Sequence, residues 1–304
     1  MKHIKLFENF DTKSIDELCV KHGIKNYTIN SDGTIDVDGN VDISYSNLKK
    51  IPLNFGKVSG RFDCDGNALS NLNGCPSYVE QSFNCSGNQL TSLKGCPSYV
   101  GNYFECDHNK LTSLKGCPDL IQGDFNCNSN LLTNLKFCPN TIQGHFVCKI
   151  NQLTTLEFFP KSIGKSIDIS FNKLTSLKGC INTINGSFHC NNNELTSLID
   201  GPESVDEDLN IKFNLLTDLI GFPKNINNKE NVKMSYDLKA IYNIFEDNLD
   251  LIDDFYKFNI LQGIGVEAKQ NLKLRRLKLF LDTNEISDLT DDQLEELKFY
   301  YNVI

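Results

Sequence analysis

Eleven of the twelve cysteines in this 304-residue chain fall into two regular series, so thiol chemistry is the first possibility to weigh. Cys64, Cys85, Cys106, Cys127, Cys148 and Cys190 form one series; Cys75, Cys96, Cys117, Cys138 and Cys180 form the other; Cys19 stands apart. A structural zinc site brings thiolates together at short spacings such as Cys-x-x-Cys, and the sequence contains none. A ladder of disulfides between parallel neighbours would strain the geometry of the bond. Ile169 and Ile211 occupy steps of the first series, so the position asks for a small apolar group. These cysteines are expected to be reduced core residues, which points to a reducing, cytoplasmic setting.

The other reactive groups are equally periodic. His108, His145 and His189 lie on alternate repeats, roughly 10 Å apart if the repeats stack as parallel strands, and none has an evident nucleophile beside it. Asp63 and Asp65 could face Glu105 and Asp107 as weak cation ligands, but Asn84 and Ser86 stand between them. There is no glycine-rich phosphate loop and no cofactor signature. The sequence therefore leads to no catalytic residue, no metal and no cofactor, and the chain is expected not to be an enzyme.

What orders these residues is a 21-residue period. Asn67, Asn88, Asn109, Asn130, Asn151, Asn172, Asn193 and Asn214 recur without insertion, and one step further back lies Ser46. Leu stands two and five residues after each Asn. Phe, Ile or Leu stands five before it, and Val or Ile nine before it. Pro stands nine after it except at Ile181. A fixed period of this length marks a solenoid.

Phe-x-Cys alternates with period two, so both side chains point inward from a short strand. The leucines turn inward as the chain bends away. Each Asn can bond backbone groups of its own coil and the next, forming a ladder that satisfies buried turns. The segment from the second Leu to the next Val is too short for an α-helix and is broken by Pro. The expected architecture is thus an α/β repeat solenoid: a parallel sheet on a concave side, irregular or 3₁₀ chain on a convex side, and a helical C-terminal region.

The motif Phe-x-Cys-x-x-Asn-x-Leu-x-x-Leu resembles the leucine-rich-repeat consensus over about two thirds of the chain. That resemblance implies a right-handed coil that binds partners on its strand face. The wording of the units, as in Ser86-Gly87-Asn88-Gln89-Leu90-Thr91-Ser92-Leu93, is similar to uncharacterised repeat proteins of tailed phages and bacteria. The opening Met1–Glu8 also looks phage-encoded, which implies a setting in the bacterial cytoplasm and not an activity; action on a host protein there is an expectation. Effector ubiquitin ligases carry a similar repeat with a nucleophilic cysteine in a C-terminal domain. Here no Cys follows Cys190, which argues against that activity.

Three regions follow: residues 1–36 as an N-terminal helix and hairpin, 37–235 as nine repeats, and 236–304 as a helical cap or module. Solenoid ends need such covers. Ser14-Ile15-Asp16-Glu17 reads as a capping box, with a helix stop at Gly23. Asp32-Gly33 between Tyr27–Ile29 and Thr34–Val37 signals a hairpin. Beyond Ser235 helical spacing takes over, giving three or four helices, one opened by a Thr290–Gln293 capping box. The stretch Lys273–Lys278 reads as a solvated helix face.

Net charge is −9 with three arginines, which argues against phosphate-backbone binding. No apolar run is long enough to span a membrane, and Met1–Phe10 is not a secretory leader. In the first five coils the outward strand positions carry Asp42, Asp63, Asp65, Glu105, Asp107 and Asp124 against Arg61; later coils are mixed, with Lys149, Asp168, Asp208 and Lys212. One residue before the Asn column stand Tyr45, Ile150, Phe171 and Phe213. The expectation is a protein partner with a basic surface, attracted by the acids and anchored by the apolar groups. The alternative is that the acids only keep the chain in solution. A hydroxyl column, Ser70, Thr91, Thr112, Thr133, Thr154, Thr175, Thr196 and Thr217, admits a third reading as an ice or surface binder, although Thr in turns also bonds local backbone.

Overall fold

The computed structural model describes residues 12–258, 261–264 and 270–304. The reading of Met1–Phe10 lies outside them. The chain forms a parallel β-solenoid of about nine turns, followed by helices. It divides into two compact units. One holds the described residues up to Asn151 together with Pro160–Ile163; the other holds Gln152–Phe159 and Gly164–Ile304.

In the first unit, helix α1 (Thr12–Lys21) is closed by Gly23, whose φ of 66° lets the Ile24 N–H return to the Cys19 carbonyl at 2.8 Å. The helix already includes Thr12, so Ser14 lies inside its first turn rather than at the cap the sequence suggested. Strands β1 (Tyr27–Ile29) and β2 (Ile35–Val37) pair antiparallel across Asp32-Gly33, with Gly33 at φ 79°. Ile35–Val37 then pairs parallel with Phe55–Val58, so the hairpin joins the first coils directly.

Each coil contains two short strands. The inward Phe of one row stacks coil on coil in register: Phe62, Phe83, Phe104, Phe125 and Phe146 have successive ring centroids 5.3–5.9 Å apart. The Cys two residues on is fully buried in each of these coils. The second row consists of the Val or Ile column, in pairs such as Tyr78–Val79 and Tyr99–Val100, also parallel and in register. The sequence reading expected extended, irregular or 3₁₀ chain between the leucines and this column; the column itself is extended and paired. Two-residue strands are defined by their neighbours above and below, so the Val or Ile column marked a repeated position without marking it as a strand.

The turn after the second Leu is also not 3₁₀. The N–H of Cys75 reaches the Leu72 carbonyl at 3.0 Å, with Gly74 at φ 96° between them, as in a type II turn. The same bond recurs at Cys96, Cys117 and Cys138.

The second unit repeats the two rows with Ile167–Asp168, Phe188–His189, Leu209–Asn210 and Val232–Lys233 in one, and Thr183–Ile184, Ser204–Val205 and Asn225–Ile226 in the other. Helices α2 (Tyr236–Phe245), α3 (Ile252–Lys257), α4 (Leu274–Thr283) and α5 (Asp291–Tyr300) follow. Thr290 and Gln293 form the expected capping box. A three-stranded sheet of Leu261–Ile264, Gln270–Leu272 and Asn302–Val303, absent from the sequence reading, ties this region together. Phe245, Phe255 and Phe280 meet in its core.

Among the described residues no helix is long and apolar enough to cross a membrane.

Candidate functional site: the outward face of the Phe strands

The asparagine column holds this face in shape. Asn109 donates through Nδ2 to the carbonyls of Cys106 and Asp107 in its own coil and to Cys85 one coil back, at 3.0–3.2 Å. Its Oδ1 accepts the Leu90 N–H at 3.0 Å. Asn67, Asn88, Asn130 and Asn151 in the same unit bond likewise. In the second unit Asn172, Asn193 and Asn214 accept the N–H groups of Leu153, Leu174 and Leu195. The ladder therefore reaches to the preceding coil.

Several predicted site residues have structural work on this face. Asp42 accepts the N–H and hydroxyl of Ser44 at 3.1 and 2.7 Å, and these bonds hold its carboxyl below the usual range. Asp63 accepts the Asp65 N–H, and Asn84, Asn126, Asp168 and Asn210 do the same two residues on. At these coils the column thus stiffens the exit from the strand. Asp124 accepts the His145 N–H one coil on, at 2.8 Å.

The carboxylates are crowded. Asp63 is only 4% exposed and pairs with Arg61 Nη2 at 2.6 Å, yet burial still raises its carboxyl. Glu105 is half-buried and is raised first by burial, then by the charges of Asp107 and Asp63. Asp65 lies beside Tyr45, whose phenol is raised mainly by their hydrogen bond. The Tyr45 ring lies so close over Gly66 that a Cβ there would push the ring aside.

Asp107 joins Ser86, Asn126 and His108. Its Oδ1 accepts from Ser86 Oγ at 2.6 Å and Asn126 Nδ2 at 3.2 Å, and its Oδ2 meets His108 Nδ1 at 2.6 Å. Serine, aspartate and histidine are together, but the aspartate sits in the middle. In a nucleophilic triad the histidine must bond the serine to take its proton, so this order leaves Ser86 unactivated. Among the described residues no three His, Cys, Asp or Glu side chains converge as metal ligands.

The residue before each Asn adopts a left-handed backbone, so the apolar series stands at a position that favours glycine. Gly66 and Gly87 occupy it without strain, while Tyr45, Ile150, Phe171 and Phe213 occupy it at φ 47–57°. These four side chains are exposed, Phe213 by 71%. Ile150 belongs to the first unit, and Phe171 and Phe213 to the second. The sequence reading missed a second left-handed corner, seven residues after the Asn. Glycine holds it at Gly74, Gly95 and Gly116, but Phe137 and Phe158 hold it at φ 68° and 66° and are about half exposed. The signal was in the sequence: Phe interrupts a glycine column.

Burial raises the strand thiols Cys85, Cys106 and Cys127 well above their usual range, and pushes Cys96 up to about 12. All twelve cysteines are free.

No protein-family model matches this sequence, and no curated protein is detectably similar to it. The fold itself therefore carries the class: a parallel β-solenoid with 21-residue turns.

Proposed function

We propose that this protein is a non-catalytic scaffold that recognises a protein partner with a basic surface through the outward face of its Phe strands. One observation carries the reading. Six carboxylates share this face of the first unit with Arg61 and Lys149, and Glu105 stands close enough to Asp107 and Asp63 for their charges to add to the effect of burial on its carboxyl. Folding alone does not relieve that crowding; lysines and arginines of a partner would, and their attraction would also steer the encounter. The exposed apolar residues at left-handed corners supply anchors. A coil of the leucine-rich-repeat type and a phage-encoded role in the bacterial cytoplasm, acting on a host protein, are parts of this proposal that rest on the wording of the repeats.

The test is capture of partners from a bacterial lysate by the wild type and by an Asp65→Lys, Glu105→Lys variant. Asp63 is left intact because its bonds to Arg61 and Asp65 support the fold. The proposal expects a partner that the variant loses and that high salt weakens; an unchanged set of partners removes the acidic face from the account.

One observation favours the alternative of an ice or surface binder: all eight hydroxyl side chains from Ser70 to Thr217 are exposed. Two residues before each, the parallel column runs Ala68, Gln89, Lys110, Leu131, Gln152, Lys173, Glu194 and Leu215. This mixture makes a poor repeating lattice, and the absence of thermal hysteresis would close that reading.

A further inference from the structure

The second row of strands in the first unit carries an aromatic stack that stops abruptly. Tyr78 and Tyr99 stand in register on adjacent coils, their rings 4.6 Å apart and 6° from parallel. On the other side of Tyr78 the register partner is Lys57. A lysine continues the column without continuing the stack, so the Tyr78 face turned toward that coil has no ring against it. A groove of about 240 Å³ opens there, between Tyr78 and the N-terminal hairpin. Its walls include Asp36, Asp38, Lys57 and Glu80.

The carboxylates are positioned by the fold. Asp36 Oδ1 accepts the Lys57 N–H at 2.7 Å, and Asp38 Oδ1 accepts the Ser59 hydroxyl at 2.9 Å. Each keeps its second oxygen for a further donor, and Glu80 is exposed at the rim. The lining thus combines one open aromatic face with three carboxylates against one ammonium.

We propose that this groove binds the guanidinium of an arginine side chain from a protein partner. A guanidinium is planar and stacks on aromatic faces, extending the tyrosine pair by one layer. It has five N–H donors and no acceptor, which matches a rim rich in carboxylate oxygens. An ammonium lacks the plane, and a neutral sugar leaves the excess negative charge unanswered. Lys57 is exposed on a flexible stem, so its ammonium can swing into solvent. The groove lies on the other sheet from the acidic Phe-strand face, so this site does not depend on the function proposed above.

The experiment titrates the full chain, with ¹³C-labelled tyrosine rings, against a blocked Gly-Arg-Gly peptide. Parallel titrations use the lysine and citrulline peptides and maltose. The arginine peptide should shift the Tyr78 ring signals with a dissociation constant on the order of 1 mM. The lysine peptide should bind at least about fivefold more weakly, and citrulline and maltose should produce no shift. Glu80→Gln combined with Asp38→Asn should weaken arginine binding at least about fivefold, and Tyr78→Leu should abolish it. Should Tyr78→Leu fail to fold, the carboxylate variant, altered at exposed side chains, decides. The proposal is overturned by no response to the arginine peptide, by equal binding of citrulline or maltose, or by arginine binding unchanged in a folded variant.

Discussion

The side-chain oxygen of Asn130 accepts the backbone N–H of Leu111, 19 positions earlier and one coil back, at 3.0 Å. The same side chain donates to the carbonyls of Cys106, Cys127 and Asn128. One buried amide therefore bonds four backbone groups in two coils, its two N–H donors shared among three carbonyls. Asn130→Leu keeps the branched shape and removes every one of these bonds. The expected loss is about 3–5 kcal/mol in urea unfolding, because the groups left behind have little access to water.

Ile150 offers the opposite sign. It is a β-branched residue at φ 52° with half its surface exposed, a conformation that costs a bulky side chain roughly 1–3 kcal/mol. Gly66 and Gly87 occupy the equivalent position freely. Ile150→Gly should raise the melting temperature even though it deletes a large side chain. If Ile150 anchors a partner, the same variant should lose capture, and these two measurements separate strain from function.

Glu105 predicts a pH dependence. Its carboxyl is raised in the folded state by burial and by Asp107 and Asp63, so the folded chain holds that proton more tightly than the unfolded chain does. The destabilising effect is absent below the unfolded pKa, grows as pH rises between the two values, and is fully present above the folded one. Glu105→Gln should therefore raise stability at neutral pH and leave it nearly unchanged in acid, measured as urea midpoints across pH 3 to 8 (about the range spanning carboxylate titration).

The strand cysteines should behave as core residues. Ile169 and Ile211 fill the same column and are buried, so Cys127→Val should cost less than about 1.5 kcal/mol. Because burial raises the Cys127 thiol, a thiol-specific reagent at pH 8 should modify it only upon unfolding. Rapid labelling in the folded protein would place that sulfur outside the core.

Much of this architecture was legible in the sequence because a repeat exposes its own rules. The Asn column, the paired leucines and the Phe-x-Cys strand each recur often enough to be read as positions instead of residues. The Tyr78–Val79 strand was not legible, since it exists only through pairing with Tyr99–Val100 and Lys57–Val58. The left-handed corners were half legible. Gly66 and Gly87 mark one, but Phe171 and Phe213 in the same column look like an apolar strip, not like residues held in a glycine conformation. Of the acidic face, the residue types were legible. That Asp42, Asp63 and Asp124 also bind backbone groups was not, because it depends on where the neighbouring N–H groups fall in three dimensions.

The stacking of identical coils is the claim on which the rest depends, and amide hydrogen exchange tests it most directly. The N–H groups of Leu69, Leu90, Leu111 and Leu132, each bonded to an Asn side chain of the following coil, should be among the slowest to exchange in the native protein. In Asn130→Leu the Leu111 amide should lose protection first. Free exchange of these four amides in the wild type would contradict the ladder and the solenoid built on it.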